Sequence, residues 1–185
     1  MKKSKQNTLR ISFVALFAAI ICVGCFIRIP LGPVPIVFQN VLCVLTAVLL
    51  GGLWGPLPTL LFLLAGLAGL PVYSGGTAGL AVWTGPTGGF LLGYLLAAIV
   101  SALIAGRPSI EQKKISWKIV LRISLAFLAG MIILYVPGVI HFSLWAVKAG
   151  KVPEDKGVFA YTMAACVLPY LAGDAIKIVV CAPIA

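Results

Sequence analysis

The sequence predicts an all-α membrane protein: six transmembrane helices in a single membrane domain over residues 1–185, with both termini cytoplasmic. Three observations carry that prediction. First, 62% of the 185 residues are hydrophobic and only 10% charged, with mean hydropathy +1.14. A soluble domain is about 45–50% apolar and about 25% charged, and no core of this length hides such an excess, so the surrounding solvent is lipid. Second, no side chain between Arg28 and Arg107 is charged. Third, the residues behind the net charge of +10 sit in short clusters between apolar runs. Clusters of that kind orient a membrane protein rather than bind nucleic acid. A soluble enzyme, a disordered chain and a nucleic-acid binder are all excluded, and no nucleic-acid partner is expected.

Glycines, prolines and charge clusters punctuate six apolar runs, each to be compared with the roughly 20 residues that span a bilayer. The first covers Leu9 to Ile27 and stops at Arg28-Ile29-Pro30. After the Gly/Pro-rich Leu31–Pro35, the second covers Ile36 to Leu53 and the third Leu57 to Leu70. An uncharged loop, Pro71–Gly89, precedes the fourth span, Phe90 to Ala105. The fifth covers Ile119 to His141. The last apolar stretch starts near Val158, and Pro169 within it is read as the start of the sixth span, because proline suits a first helical turn and breaks an interior.

Lys2, Lys3, Lys5 and Arg10 mark the N-terminal tail. Arg107, Lys113, Lys114, Lys118 and Arg122 mark the loop between spans four and five, against a single Glu111. With six spans both clusters fall on one side, which is the cytoplasmic one. The protein is therefore expected to be a multi-pass component of the plasma (inner) membrane. Basic residues followed by an apolar core imitate a secretory signal, but five further spans follow, so the first helix is read as uncleaved.

Groups that are expensive in lipid carry the information. An aspartate at the centre of a membrane helix costs about 2.5–3.5 kcal/mol on insertion scales. Asp174 lies in Pro169-Tyr170-Leu171-Ala172-Gly173-Asp174-Ala175-Ile176-Lys177, and Lys177 follows at a spacing that puts both on one helix face. The pair reads either as a self-neutralising ion pair or as a polar spot facing an outward cup, and intramembrane charges mark substrate paths. The carboxylate would accept from a ligand's N–H groups and the ammonium would donate to a carbonyl.

Pro71–Gly89 has no charge and many glycines, and it carries Tyr73 and Trp83. It lacks the Gly-Lys-Ser/Thr ending of a phosphate-binding loop. It reads as a surface loop or as an irregular lid over the cup, with Tyr73 or Trp83 offering an apolar face to a ring system. Gln39 and Asn40 open the second span, where an amide needs a partner, and Gln39 is a candidate pocket residue. Arg28 reads as a headgroup anchor and His141 as an interfacial residue. Cys22 and Cys25 form a C-x-x-C without a second ligand pair, so the five cysteines read as small buried hydrophobes and no metal site is expected. No nucleophile–base–acid set can be assembled, so no catalytic residue is assigned.

Five motifs in order resemble the BioY family, the biotin-specific substrate-binding (S) components of energy-coupling-factor (ECF) transporters. They are Ala15–Ala19; Ile29-Pro30-Leu31-Gly32-Pro33-Val34-Pro35-Ile36-Val37-Phe38-Gln39; Gly66–Tyr73; Gly85-Pro86-Thr87-Gly88-Gly89-Phe90-Leu91-Leu92-Gly93-Tyr94; and Pro169–Lys177. The resemblance implies a six-helix subunit that captures biotin outside and hands it to an energising module. That module consists of a transmembrane coupling protein and two ATPases, so ATP is used by partner subunits and neither enzymatic activity nor a cofactor is expected on this chain. Asp174 and Lys177 match the family's residues for the ureido ring of biotin. Thr77 is the position assigned to its further loop ligand. Ala15 and Ala19 match the alanine motif that packs on the coupling protein, where small side chains allow close helix approach. The sequence departs from the family at Val37, where threonine is common, and at Tyr73, where phenylalanine is common. An S component for thiamin or riboflavin, and more remotely an intramembrane enzyme using Asp174, are the alternatives; the Asp174–Lys177 pair suits a cyclic urea better.

Overall fold

The computed structural model describes residues 2–29, 34–107 and 117–181, with the side chains of residues 2–5, 172 and 177–181 outside the description. These residues are mostly helical. The chain runs α1 (Lys2–Val23), a 3-10 turn (Gly24–Phe26), β1 (Arg28–Ile29), β2 (Ile36–Val37), α2 (Gln39–Leu50), α3 (Leu57–Leu67), α4 (Leu80–Thr84), α5 (Gly88–Ala105), α6 (Trp117–Lys148), α7 (Val158–Cys166) and α8 (Leu168–Cys181).

Among the described residues, four segments are long and apolar enough to cross a membrane: Gln6–Phe26, Gly88–Ala105, Trp117–Lys148 and Val158–Ile176. Their outer faces keep the hydrophobic surface that composition demanded. On α6, Leu121, Leu125, Leu128, Ile132, Val136 and Ile140 are exposed, while Phe127, Gly130, Met131, Leu134 and Gly138 are buried. That is helical alternation with its apolar outer stripe turned to lipid.

The expected second and third spans form shorter helices. α2 has 12 residues and α3 has 11, so at 1.5 Å per residue each is about 16–18 Å long against a hydrocarbon core of about 30 Å. The reasons are local. Ile36 and Val37 pair antiparallel with Ile29 and Arg28 instead of joining the helix, which adds a two-residue ladder to an otherwise all-α architecture. At the other end Gly51 and Gly52 take φ of 60° and 51°, a conformation that ends α2. α2 is buried nearly all round and packs against α1, α3, α5, α6 and α8, so it is the central post of the structure.

The expected fifth span lengthens: α6 continues beyond His141 to Lys148 and carries Pro137 in its interior. The last apolar stretch is two helices, broken at Val167 (φ −125°, ψ −65°), with Pro169 in the first turn of α8 as its missing N–H requires. The glycine-rich loop contains the short helix α4.

α5 and α6 make the most extensive helix pair. α5 presents a ladder of small residues at four-residue spacing, Gly89, Gly93, Ala97, Ser101 and Ala105, all buried. A Cβ at Gly93 would strike the Leu134 carbonyl of α6, and one at Gly130 of α6 would strike Ser101 Oγ. Ser101 Oγ in turn donates to Ala126 O across the interface at 2.9 Å. Close backbone approach through small residues is how helices associate where lipid offers no hydrophobic drive.

Candidate functional site

Three helices bring polar groups to one point. Asp174 on α8 is buried at 5% exposure, and its carboxylate accepts hydrogen bonds from α2 and α6. Asn40 Nδ2, from the first turn of α2, donates to Oδ1 at 3.0 Å. The Tyr135 hydroxyl, from α6, donates to Oδ2. Two donors offset part of the desolvation that makes a buried carboxylate costly. Asp174, Asn40 and Tyr135 line a small cavity of about 40 Å³, walled by Val34, Phe90 and Leu134. Tyr170 closes one side, its hydroxyl donating to Val34 O.

Pro35 and Tyr94 line this small cavity and also a larger one of about 420 Å³, so the two adjoin. The larger volume falls in the range of about 300–1,000 Å³ usual for small-molecule sites. Its wall includes Arg28, Gln39, Tyr73, Ser74 and Thr77, with apolar surface from Ala81, Val82 and Leu91. The sequence candidates Gln39, Tyr73 and Thr77 therefore share one cavity, and Asp174 occupies the neighbouring one.

Gln39 and Tyr73 are also structural. Both amide hydrogens of Gln39 are committed to backbone, Nε2 donating to Ile21 O (3.0 Å) and Val72 O (2.9 Å). The side chain thus ties the end of α1 to the segment after α3. The Tyr73 hydroxyl donates to Leu63 O at 2.6 Å and accepts from Trp83 Nε1–H at 2.9 Å. The ring packs edge-on to Phe62, and Gly66 lies so close that a Cβ there would strike it. Trp83 therefore stands behind Tyr73 as its brace. Thr77 lies at the end of a tight turn: Tyr73 N–H donates to Thr77 O at 3.0 Å across Gly75 and Gly76, both at φ 75°. Its hydroxyl donates to Ser74 O at 3.2 Å.

The backbone of Lys177 lies on α8, but its side chain falls outside the described residues, so its pairing with Asp174 is not described. His141 Nε2 hydrogen-bonds to Gly85 O at 2.9 Å and ties α6 to the segment between α4 and α5. Ala15 and Ala19 are exposed on α1, beside the exposed Leu16, to one side of the face that buries Val14, Ala18 and Ile21. Cys25 and Cys43 are fully buried, and Cys22 is half-buried. Among the described residues, no group of three or more His, Cys, Asp or Glu side chains is placed to hold a metal ion.

Two partners of the site escaped the sequence reading. Asn40 was legible as an amide needing a partner, but not as a ligand of Asp174. Tyr135 carried no local signal beyond being a polar tip in an apolar helix two residues before Pro137. Chemically, the arrangement offers an oriented carboxylate facing a small recess, with an adjoining larger space that is apolar on one side and polar on the other. This suits holding a ligand with N–H donors.

Comparison with known proteins agrees in fold and family. The BioY family model matches residues 1–185. The chain is 38% identical over 173 residues to the biotin transporter BioY of Rhodobacter capsulatus, covering 92% of this chain and 87% of that protein. It is 34% identical over 180 residues to the biotin transporter BioY of Rhizobium etli, covering 96% and 91%. The crystal structure of the S-component for biotin from an ECF-type ABC transporter superposes with a TM-score of 0.73 at 22% identity, over 97% of this chain and 90% of that one. The fold is thus that of an S component, and the full-length family match together with relatives above 30% identity place this chain in the BioY family.

Proposed function

We propose that this chain is the biotin-binding S component of an ECF-type uptake transporter, capturing biotin outside and delivering it inward. The observation that carries the reading is Asp174: a carboxylate buried among apolar helices and oriented by two donors, in a family whose relatives are named biotin transporters. A cyclic urea offers two N–H donors to such a carboxylate, and Lys177 supplies a donor for its carbonyl. Gln39, Tyr73, Thr77 and Trp83 build or brace the adjoining space. The chain works as one membrane domain of six spans, with α2 and α3 as the short ones and α7–α8 together as the sixth. Lys/Arg asymmetry puts both termini in the cytoplasm. Ala15 and Ala19 form the contact with the coupling protein, and ATP is hydrolysed by partner ATPases.

The test is equilibrium binding of radiolabelled biotin to the detergent-purified chain, with excess riboflavin and thiamin as competitors. Binding displaced by unlabelled biotin alone supports the reading. Folded protein that does not bind biotin overturns it.

A further inference from the structure

Among the described residues, the larger cavity has one charged residue in its wall, Arg28. Among the described residues no hydrogen bond or ion pair engages its guanidinium, a group with five N–H donors in a fixed fork. Arg28 is exposed, and its guanidinium lies along the cavity wall against Gly75, whose φ of 75° and missing Cβ leave room for it: a Cβ there would strike the guanidinium. The position is held from both sides. β1 pairs Arg28 with Val37, and Gly75 N–H donates to Cys25 O at 3.0 Å, fixing the glycine turn over the arginine strand.

The residue before that glycine adds a second, independent signal. Ser74 lines the same cavity, and its Oγ is buried with no hydrogen-bond partner. A buried hydroxyl is ordinarily satisfied, so an orphan on a cavity wall beside an unpaired cation points to a ligand group that accepts hydrogen bonds and carries negative charge.

We propose that Arg28 and Ser74 form a carboxylate subsite at the end of the ligand site away from Asp174, reading the acid group of the ligand. The inference rests on the biotin reading above and extends it. Biotin is a cyclic urea joined by an aliphatic chain to a carboxylate. Asp174 lines only the small cavity and Arg28 only the large one, with Pro35 and Tyr94 between them. One end therefore receives N–H donors and the other a carboxylate, with Ala81, Val82 and Leu91 beside the connecting chain. Gln39 has both amide hydrogens committed to backbone, so among the described residues Arg28 is the charged donor of this cavity. Arginine suits the task because its planar fork matches a carboxylate with two parallel hydrogen bonds.

The test compares biotin with biotinol, the uncharged alcohol that keeps the ring system and chain, by displacement of radiolabelled biotin from the purified full chain. Wild type is expected to prefer biotin by about tenfold or more, the loss typical when a charge-assisted hydrogen bond is removed. Arg28→Gln is expected to bring biotin down to the affinity of biotinol while leaving biotinol binding unchanged. Arg28→Lys keeps part of the preference, and Ser74→Ala weakens biotin severalfold. An Arg28→Gln protein that retains the full preference overturns the subsite. A wild type that binds both equally does so without any variant. A loss of preference in Lys177→Gln but not in Arg28→Gln assigns the role to the other cation and also overturns it. If folded wild type binds neither compound, the biotin reading itself fails and the subsite with it; failure of the subsite alone leaves wild-type biotin binding intact.

Discussion

Tyr135 donates its hydroxyl proton to Asp174, joining α6 to α8 through a carboxylate that is itself 5% exposed. The contact holds one oxygen while Asn40 holds the other from α2, so the carboxylate is oriented from two sides. A side chain held in this way keeps its direction before a ligand arrives, which lowers the ordering cost of binding.

Replacing Asp174 with alanine is therefore expected to weaken biotin binding by about a hundredfold or more, since two ligand hydrogen bonds to a charged group are lost. Membrane insertion should be intact or improved, because the costly carboxylate is gone. Binding isotherms and the yield of folded protein in the membrane fraction check both halves. Equal affinity in wild type and variant would remove Asp174 from the site.

Tyr135→Phe keeps the ring beside Phe90, which it meets edge-on at 6.3 Å, and deletes only the donor. Biotin affinity is expected to fall about tenfold, the size of one hydrogen bond to a charged partner. Titration of the purified variant measures the drop.

Tyr73→Phe should act on stability. It removes the acceptor of Trp83 Nε1–H and the donor to Leu63 O in one step. Leaving such groups unsatisfied costs about 1–3 kcal/mol each. Thermal unfolding in detergent is expected to shift down by several degrees, and Trp83→Phe, which removes the bracing N–H and trims the ring but keeps the Tyr73–Leu63 hydrogen bond, should shift it less.

Gly93→Ala and Gly173→Ala are the same substitution with opposite expected signs. At Gly93 the new methyl meets the Leu134 backbone, which cannot step aside, so α5 and α6 are forced apart at about 1–3 kcal/mol. At Gly173 nothing lies within 4 Å, and alanine should steady α8 by about 0.5–1 kcal/mol. Melting curves of the two variants, measured side by side, separate the cases.

Ala15→Leu and Ala19→Leu are expected to leave biotin binding unchanged, since both positions are exposed on α1 and neither lines the two cavities. Co-purification with the coupling protein should be lost. Retained co-purification would remove the alanine pair from the interface.

The membrane environment, the apolar runs and the one intramembrane carboxylate were all legible in the chain. Each depends on composition or on neighbours a few residues away, and lipid makes the cost of a misplaced charge large enough to read directly. The small-residue ladder from Gly89 to Ala105 was equally present in the sequence, yet its meaning needed a partner. Only the packed structure sets it against Leu134 and Ala126. Span lengths were misjudged where local backbone prevailed over hydropathy: the Arg28–Val37 ladder and the positive φ of Gly51 shorten the second helix, and α6 runs on past His141. Asn40 and Asp174 are 134 positions apart, and Tyr135 and Asp174 are 39 apart. No local pattern encodes such meetings, because they follow from how α6 and α8 pack around α2. By itself the sequence determined the solvent, the class of protein and the residue too expensive to be incidental. The tertiary structure alone decided what that residue touches, because a buried polar group is satisfied by whichever donors the packing delivers to it.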